Sequence, residues 1–419
     1  MSPCQPPPDR PGLEVADVFR GEASGFLQRY GSTLSVQQKR VLADIQACRT
    51  AAMGGHVRTC DHCRHREIAY NSCRNRHCPK CQAMARAEWL KQREAELLPV
   101  PYFHVVFTLP AEVGALASQN KRLLYGMLFE AASQTLMQVA ANPRHLGAAE
   151  IGLLAVLHTW GQNLMHHPHL HCVVSGGGLS ADRTRWIATK PYYFLPVKVL
   201  SRVFRNKYRA LLQKAFERGE IAFFGELQPL ADPKTFRRYL DAVTRGEWVV
   251  YAKPPFGSPS CVLKYLARYT HRVAISNRRL LGYRDGRVTF RYKDYARGSQ
   301  SRVMTVTAGE FIRRFLLHVL PEGFMRIRHY GYLANRHRQQ RLELCRRLLG
   351  SAAATETPAD AAPAQTASSE QEGEESSPCC PICKTGRMQI TETFERLARR
   401  EYLVPLPKPD GDVVREDSS

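Results

Sequence analysis

His169 and His171 alternate around Leu170 in the segment HTWGQNLMHHPHLHCVVSGGG. On a β-strand, residues two apart point to the same face. Two imidazoles would therefore lean side by side, with Leu170 behind them, and form half of a divalent-cation site. A third ligand is needed. His158, on the preceding strand, is the best candidate, and His166, His167 and Gln162 are its rivals. An H-x-H pair by itself is more often a set of ordinary histidines in a polar loop.

The second element is LKYLARYTHR. Tyr265 and Tyr269 are four apart, so on a helix they share one face. Arg268 and Arg272 lie alongside and Lys264 precedes them. Tyrosines so spaced usually pack into a core, but beside a histidine-held cation they gain a chemical use. The cation neutralises charge that builds on a phosphodiester. A tyrosine hydroxyl then attacks the phosphorus and keeps the bond energy in a phosphotyrosine link. Two tyrosines on one face permit two successive transfers. A tyrosine ionises near ~10 in water, so Arg268 and Arg272 would stabilise the developing phenolate. No single general base stands out.

The cysteines number 13 and are clumped. Clumped CxxC pairs point to metal in a reducing compartment rather than to disulfides. Cys60-x2-Cys63 and Cys78-x2-Cys81 are fourteen residues apart, a spacing that suits one tetrahedral, structural zinc ion. Cys73, His77, His62 and His65 lie close enough to replace a thiolate or to serve a second ion. Arg74, Arg76 and Lys80 sit on the same loop and offer a DNA-contacting surface. Near the C-terminus, Cys380-x2-Cys383 is half a zinc ribbon with no second half following it. Cys379 and a partner from elsewhere could complete a site.

The order and wording of these blocks resemble the HUH endonucleases, and more closely the transposases of the insertion-sequence-91 family, the two-tyrosine, rolling-circle type. The residues that carry the resemblance are SCRNRHCPKCQ, FHVVFTLP, LHTWGQNLMHHPHLHCVVSGGG, YLARYTHR with the following VAISN, and RHYGYLAN at 328–335. They span roughly residues 40 to 350. The resemblance implies that His169 and His171 bind a divalent cation and that Tyr265 and Tyr269 are the nucleophiles. It implies cleavage and rejoining of single-stranded DNA from the ends of a mobile element, through a 5′-phosphotyrosine. His158 is similar in placement to a member of the three-histidine set of conjugative relaxases. Imidazole ligands suit Mn²⁺ better than Mg²⁺, although abundance favours Mg²⁺.

These residues need elements to position them. Helical patterns run over 15–30, 34–52, 85–98, 120–141, 197–217, 259–272, 309–319 and 333–349. Strand patterns run over 102–110, 151–160, 169–178 and 247–254, with two or three more over 280–306 turning at Asp285-Gly286. Strands mixed with helices, some joined by tight turns, predict an α+β fold. The expected form is an HUH endonuclease domain with a central antiparallel or mixed sheet flanked by helices, plus an N-terminal zinc-binding module. The expected domains are residues 1–98, helical and zinc-binding; 99–350, catalytic; and 351–419, a disordered acidic linker and tail with a partial CxxC knuckle. Ser351 to Pro378 holds six acids and no Lys or Arg.

Composition narrows the partners. The chain of 419 residues carries +22, and the final 69 residues carry −6, so the first 350 carry +28. Nucleic acid is the partner such a surface fits. Lys264 to Arg302 holds 11 bases and 2 acids with Tyr283, Phe290, Tyr292 and Tyr295 interleaved, a pattern for unpaired DNA. Arg326 to Arg347 holds seven arginines and one glutamate, Arg328 and Arg336 among them. The longest aliphatic run, Ile151 to Leu157, is far short of the roughly 20 residues a spanning helix needs. No secretory signal is visible. A cytoplasmic, nucleoid-associated protein is expected, with no membrane partner. A relaxase or replication initiator with the same chemistry is the second reading, and no fused GxxxxGK[ST] loop occurs. A zinc-ribbon DNA-binding regulator without catalysis is the third.

Overall fold

The computed structural model describes residues 12–82, 96–190, 192, 194–253, 274–294, 298, 300–353 and 377–398. The expected helices at 85–98 and 259–272 lie largely or wholly outside these residues, and so do Lys264, Tyr265, Arg268, Tyr269 and Arg272. The chain forms two compact units. One contains the described residues of Met1–Gln82, Ile275–Leu316 and Pro358–Ser419; the other contains those of Ala83–Ala274 and Leu317–Thr357. The units therefore part elsewhere than at residues 98 and 350. Residues 275–316 and the C-terminal segment belong with the N-terminal unit.

The second unit is built on one antiparallel sheet. Its strands are β3 (Tyr102–Thr108), β4 (Glu150–Trp160), β5 (His166–Leu179), β7 (Val250–Lys253) and β11 (Ile327–Tyr330), in the order β11-β4-β5-β3-β7, with β6 (Trp186–Ala188) paired to the glycine end of β5. β4 and β5 are buried almost throughout, as central strands covered on both faces must be.

The pleat sorts the side chains into two faces. Phe103, Val105 and Phe107 of β3, Leu153, Ala155 and Leu157 of β4, and Leu170, Cys172 and Val174 of β5 point one way. Two 21-residue helices, Lys121–Ala141 and Val197–Glu217, cover that face with Leu124, Leu128, Leu136, Phe204 and Tyr208. Each such side chain, fully buried, contributes about 1.5–3 kcal/mol. The other face carries Tyr102, Leu154, Val156 and Val173, covered by Leu342 and Cys345 of the helix Arg338–Ala353. The next positions along this second face are His104, His158, His169 and His171. Period two alone puts them there.

Tyr332 closes the apolar end of that face, fully buried against Gly152, where an added Cβ would meet its ring at 2.3 Å. Gly331 beside it has φ +62°, and a Cβ there would meet the carbonyl oxygen of Ile151 at 1.7 Å. Gly331→Ala should therefore destabilise the unit by about 3 kcal/mol or more. A denaturant midpoint unchanged from wild type would contradict this packing.

The first unit holds two three-stranded sheets. The order β10-β9-β8 joins β8 (Leu280–Arg284), β9 (Arg287–Asp294) and β10 (Gln300–Thr307), with Asp285-Gly286 turning between the first two. Phe290 packs edge-on to Phe311 of the helix Ala308–Leu317, and Phe315 of that helix meets Phe19 of the helix Val15–Tyr30. The helix Val36–Ala47 starts with a capping box in which Ser35 and Gln38 satisfy each other's backbone N–H groups.

The second sheet, β12-β1-β2, joins β1 (Gly55–Cys60), β2 (Arg66–Tyr70) and β12 (Met388–Phe394). β12 arises in the stretch read from sequence as a disordered tail. Its alternation Met388-Gln-Ile-Thr-Glu-Thr-Phe394 is strand-like, but the acids and prolines around it outweigh that signal in any window average. No described helix is long and apolar enough to cross a membrane.

Candidate metal centres and nucleic-acid surface

His169 and His171 emerge from β5 between β3 and β4. His169 lies between Thr108 and His158, and His171 between Val106 and Val156. One nitrogen from each of His158, His169 and His171 falls within 4.8 Å of the others. The Nε2 atoms of His169 and His171 are 3.1 Å apart. Nδ1–H of His169 donates to the carbonyl of His167 at 2.7 Å, which leaves the lone pair on Nε2. Nδ1 of His171 shares one proton with Nε2 of His104 across 2.8 Å, the two rings lying nearly parallel. His158 stacks on Trp160 at 4.6 Å and meets the His171 ring edge-on at 4.5 Å. Each ring is thus held in plane by a neighbour that is not one of the three.

Burial favours the neutral form of His169 and His104. It lowers His169 to about 4, against the pull of the His167 carbonyl. It lowers His104 to about 4 as well, with the nearby Lys253 ammonium adding to the effect. Neutral imidazole is the metal-ligating form. Among the rivals for a third position, His166 pairs with the Tyr125 hydroxyl at 2.7 Å, and the backbone carbonyl of His167 accepts from His169.

Two residues of this region escape a reading of the motifs. His104 is the one polar residue inside the run FHVVF, and its inward position on a strand was the available signal. Lys253 lies opposite His104 on the edge strand β7, with Tyr251 opposite Val106. Directly opposed residues share a face, so an exposed tyrosine and a lysine border the histidines. The segment carrying Tyr265 and Tyr269 follows directly from this strand.

The cysteines form two clusters in the first unit, not one. Cys60 and Cys63 do not meet Cys78 and Cys81. Cys78 and Cys81 group with Cys48 and Cys73, while Cys60 and Cys63 group with Cys380 and Cys383. The hairpin explains the partition. Cys60 and Cys63 lie at the β1–β2 turn, and β2 then carries the chain roughly 17 Å back at 3.3 Å per residue. Asn71, at the far end, accepts from the N–H of Arg49, so Cys73 arrives beside Cys48 at the end of the second helix.

In the first cluster the sulfurs are 3.5 to 3.6 Å apart. A tetrahedron with 2.3 Å zinc–sulfur arms has edges of about 3.8 Å. Cys48, Cys73 and Cys78 all direct hydrogen bonds at Cys81 and push its thiol far down. Hydrogen bonds to Cys48, and then burial, push Cys73 and Cys78 up. His77 is buried beside this cluster, whereas His62 is exposed and His65 half-buried beside the other.

The expected basic contacts divide. Arg74 and Arg336 are exposed and Arg76 is half-buried. Lys80 is mostly buried in an ion pair with Glu14 at 2.5 Å. Arg328 lies over the Phe129 ring at 4.2 Å, so its stem and charge are partly spent on packing. Arg287 and Arg291 are exposed on β9, on the face opposite the buried Val288 and Phe290.

Two family models match the chain. One, described as "Transposase zinc-binding domain", covers residues 18–109; the other, described as "Putative transposase", covers residues 152–341. The chain is 56% identical over 386 residues to "Putative transposase y4qJ" of Sinorhizobium fredii, covering 92% of this chain and 96% of that protein. It is 29% identical to "Transposase for insertion sequence element IS801" of Pseudomonas savastanoi pv. phaseolicola, covering 69% of this chain and 68% of that one. No solved structure matches it. Zinc module and histidine-bearing unit both fall within matches to transposases. The chain belongs to the IS91 family of transposases.

Proposed function

We propose that this transposase is an HUH-type nuclease and strand transferase acting on single-stranded DNA. The carrying observation is the convergence of His158, His169 and His171 on one face of an antiparallel sheet, with one nitrogen of each within 4.8 Å of the others. That donor set fits a divalent ion such as Mn²⁺ or Mg²⁺, which would supply Lewis-acid polarisation of a phosphodiester. His104 fixes the tautomer of His171, and the His167 carbonyl fixes that of His169. Lys253 adds positive charge beside them.

The nucleophiles are Tyr265 and Tyr269. The phenol oxygen of one forms a bond to phosphorus as the bond to the 3′ oxygen breaks. The phenol proton passes to solvent and the freed 3′ oxygen takes one up, so a 5′-phosphotyrosine and a 3′ hydroxyl result. The second tyrosine repeats the exchange on another strand. In the N-terminal unit Arg74, Arg76 and the basic face of β9 contact the DNA backbone; in the other unit Arg336, Lys264, Arg268 and Arg272 do so. One zinc ion on Cys48, Cys73, Cys78 and Cys81 supports the loop that carries Arg74 and Arg76.

Single-stranded oligonucleotides carrying the element's ends should be cut at one phosphodiester, and the same sequence as a duplex should not. Efficient cutting of the blunt duplex would count against this reading. His104→Ala should weaken Mn²⁺ binding about 10–100-fold, the usual effect of losing an outer-shell partner of a ligating histidine. Calorimetric titration of the metal reads this directly, and His104→Gln should recover part of the loss. An unchanged affinity would remove His104 from the site.

A further inference from the structure

Cys60, Cys63, Cys380 and Cys383 bring two CxxC knuckles together across 317 residues of chain. Their sulfurs pair at 3.7 Å (Cys60 with Cys383) and 3.6 Å (Cys63 with Cys380). These are the edges of a zinc tetrahedron, about 3.8 Å, and far beyond the ~2.05 Å of a disulfide.

The two knuckles repeat one another. Each knuckle directs an N–H at one of its sulfurs, though at different positions: that of Cys63 at the first cysteine, Cys60, and that of Gly386 at the second, Cys383. Arg64 donates back to the carbonyl of Cys60, and Lys384 to that of Cys380. Arg64 and Lys384 both take left-handed conformations, with φ 63° and 58°. Cys60 donates to the carbonyl of His65, and Cys380 to that of Gly386. The knuckles are also tied to each other. Asp61 donates its N–H to the carbonyl of Arg387, and its carboxylate accepts from the Arg387 N–H at 2.8 Å.

Gly386 is needed at this junction. A Cβ there would lie 2.5 Å from the Cys60 sulfur. β1 and β12 continue the contact as paired strands, from Cys60 opposite Met388 to Gly55 opposite Phe394.

We infer that these four cysteines form a second structural zinc site, a ribbon whose halves come from the two ends of the chain. The ion docks β12 on the N-terminal unit. The zinc-binding family match, residues 18–109, includes only one of the two halves. Removal of the C-terminal segment would therefore leave Cys60 and Cys63 as an incomplete knuckle.

Zinc content of the full chain tests this, measured by elemental mass spectrometry after exhaustive dialysis. A His169→Ala/His171→Ala background keeps the histidine cluster from adding an ion. That protein should hold two zinc ions. Cys380→Ser/Cys383→Ser should hold one, and Cys379→Ser should keep two. Cys383→His, which retains a ligand, should also keep two and guards against a misfolded serine variant. Cobalt substitution should show thiolate charge-transfer absorption that halves in Cys380→Ser/Cys383→Ser. One ion in the background, retained in Cys380→Ser/Cys383→Ser, would overturn the ribbon and leave the other site standing. No ion at all would overturn both.

Discussion

His169→Ala/His171→Ala should lower single-strand cleavage about 10³-fold or more while leaving DNA binding within a few-fold of wild type. Losing one preorganised electrostatic stabiliser of a transition state commonly costs 10²–10³ in rate, and this variant removes two of the three ligands proposed for the cation at once. At 1.36 kcal/mol per factor of ten, 10³ corresponds to about 4 kcal/mol of transition-state stabilisation. The fold should survive, because both imidazoles lie beyond the apolar cluster that packs their sheet face. The residue between them, Leu170, carries the packing and is fully buried. Cleavage rates from a labelled oligonucleotide, set beside a binding curve, separate the two effects. Equal losses in both would make the histidines structural.

Cys78→Ser/Cys81→Ser should unfold the N-terminal unit rather than trim it. Cys48 and Cys73 join two helical turns and a strand end through this cluster, and all four thiols are buried. Structural zinc contributes roughly 10–16 kcal/mol of apparent binding energy in small zinc modules at neutral pH, more than the ~5–15 kcal/mol that holds an ordinary domain folded. Loss of the zinc with aggregation or protease sensitivity confined to the N-terminal unit is the expected result. A variant that keeps its metal and its thermal midpoint would refute the assignment. Cys380→Ser/Cys383→Ser should be milder, because β1 and β2 stay paired without β12.

The histidine site was legible because its logic is local. Period two on β5 places His169 and His171 together, and an eleven-residue antiparallel return places His158 opposite His169. The long helices were legible for the same reason, their apolar rows being sustained over several turns. The zinc ligands were not. Spacing rules assume that ligands close in sequence close on one ion, and a two-stranded hairpin between them defeats that assumption. Cys48 carries no motif of its own. Cys380 and Cys383 find their partners only through the pairing of β1 with β12, a contact of very long sequence separation. The short strands at 186–188 and 327–330 were equally silent, because three or four residues hold too few repeats to declare a period. Lys253 becomes visible only when strand register sets it opposite His104.

The central claim is tyrosine transesterification, and a covalent adduct tests it most directly. The full-length protein is mixed with single-stranded DNA from the element's ends, with and without Mn²⁺. Products are resolved under denaturing conditions, and the modified peptide is mapped by mass spectrometry. A metal-dependent adduct on Tyr265 or Tyr269, absent in the Tyr265→Phe/Tyr269→Phe variant, is the predicted result. DNA binding without any adduct under either condition, or an adduct that persists in the double variant, would contradict it.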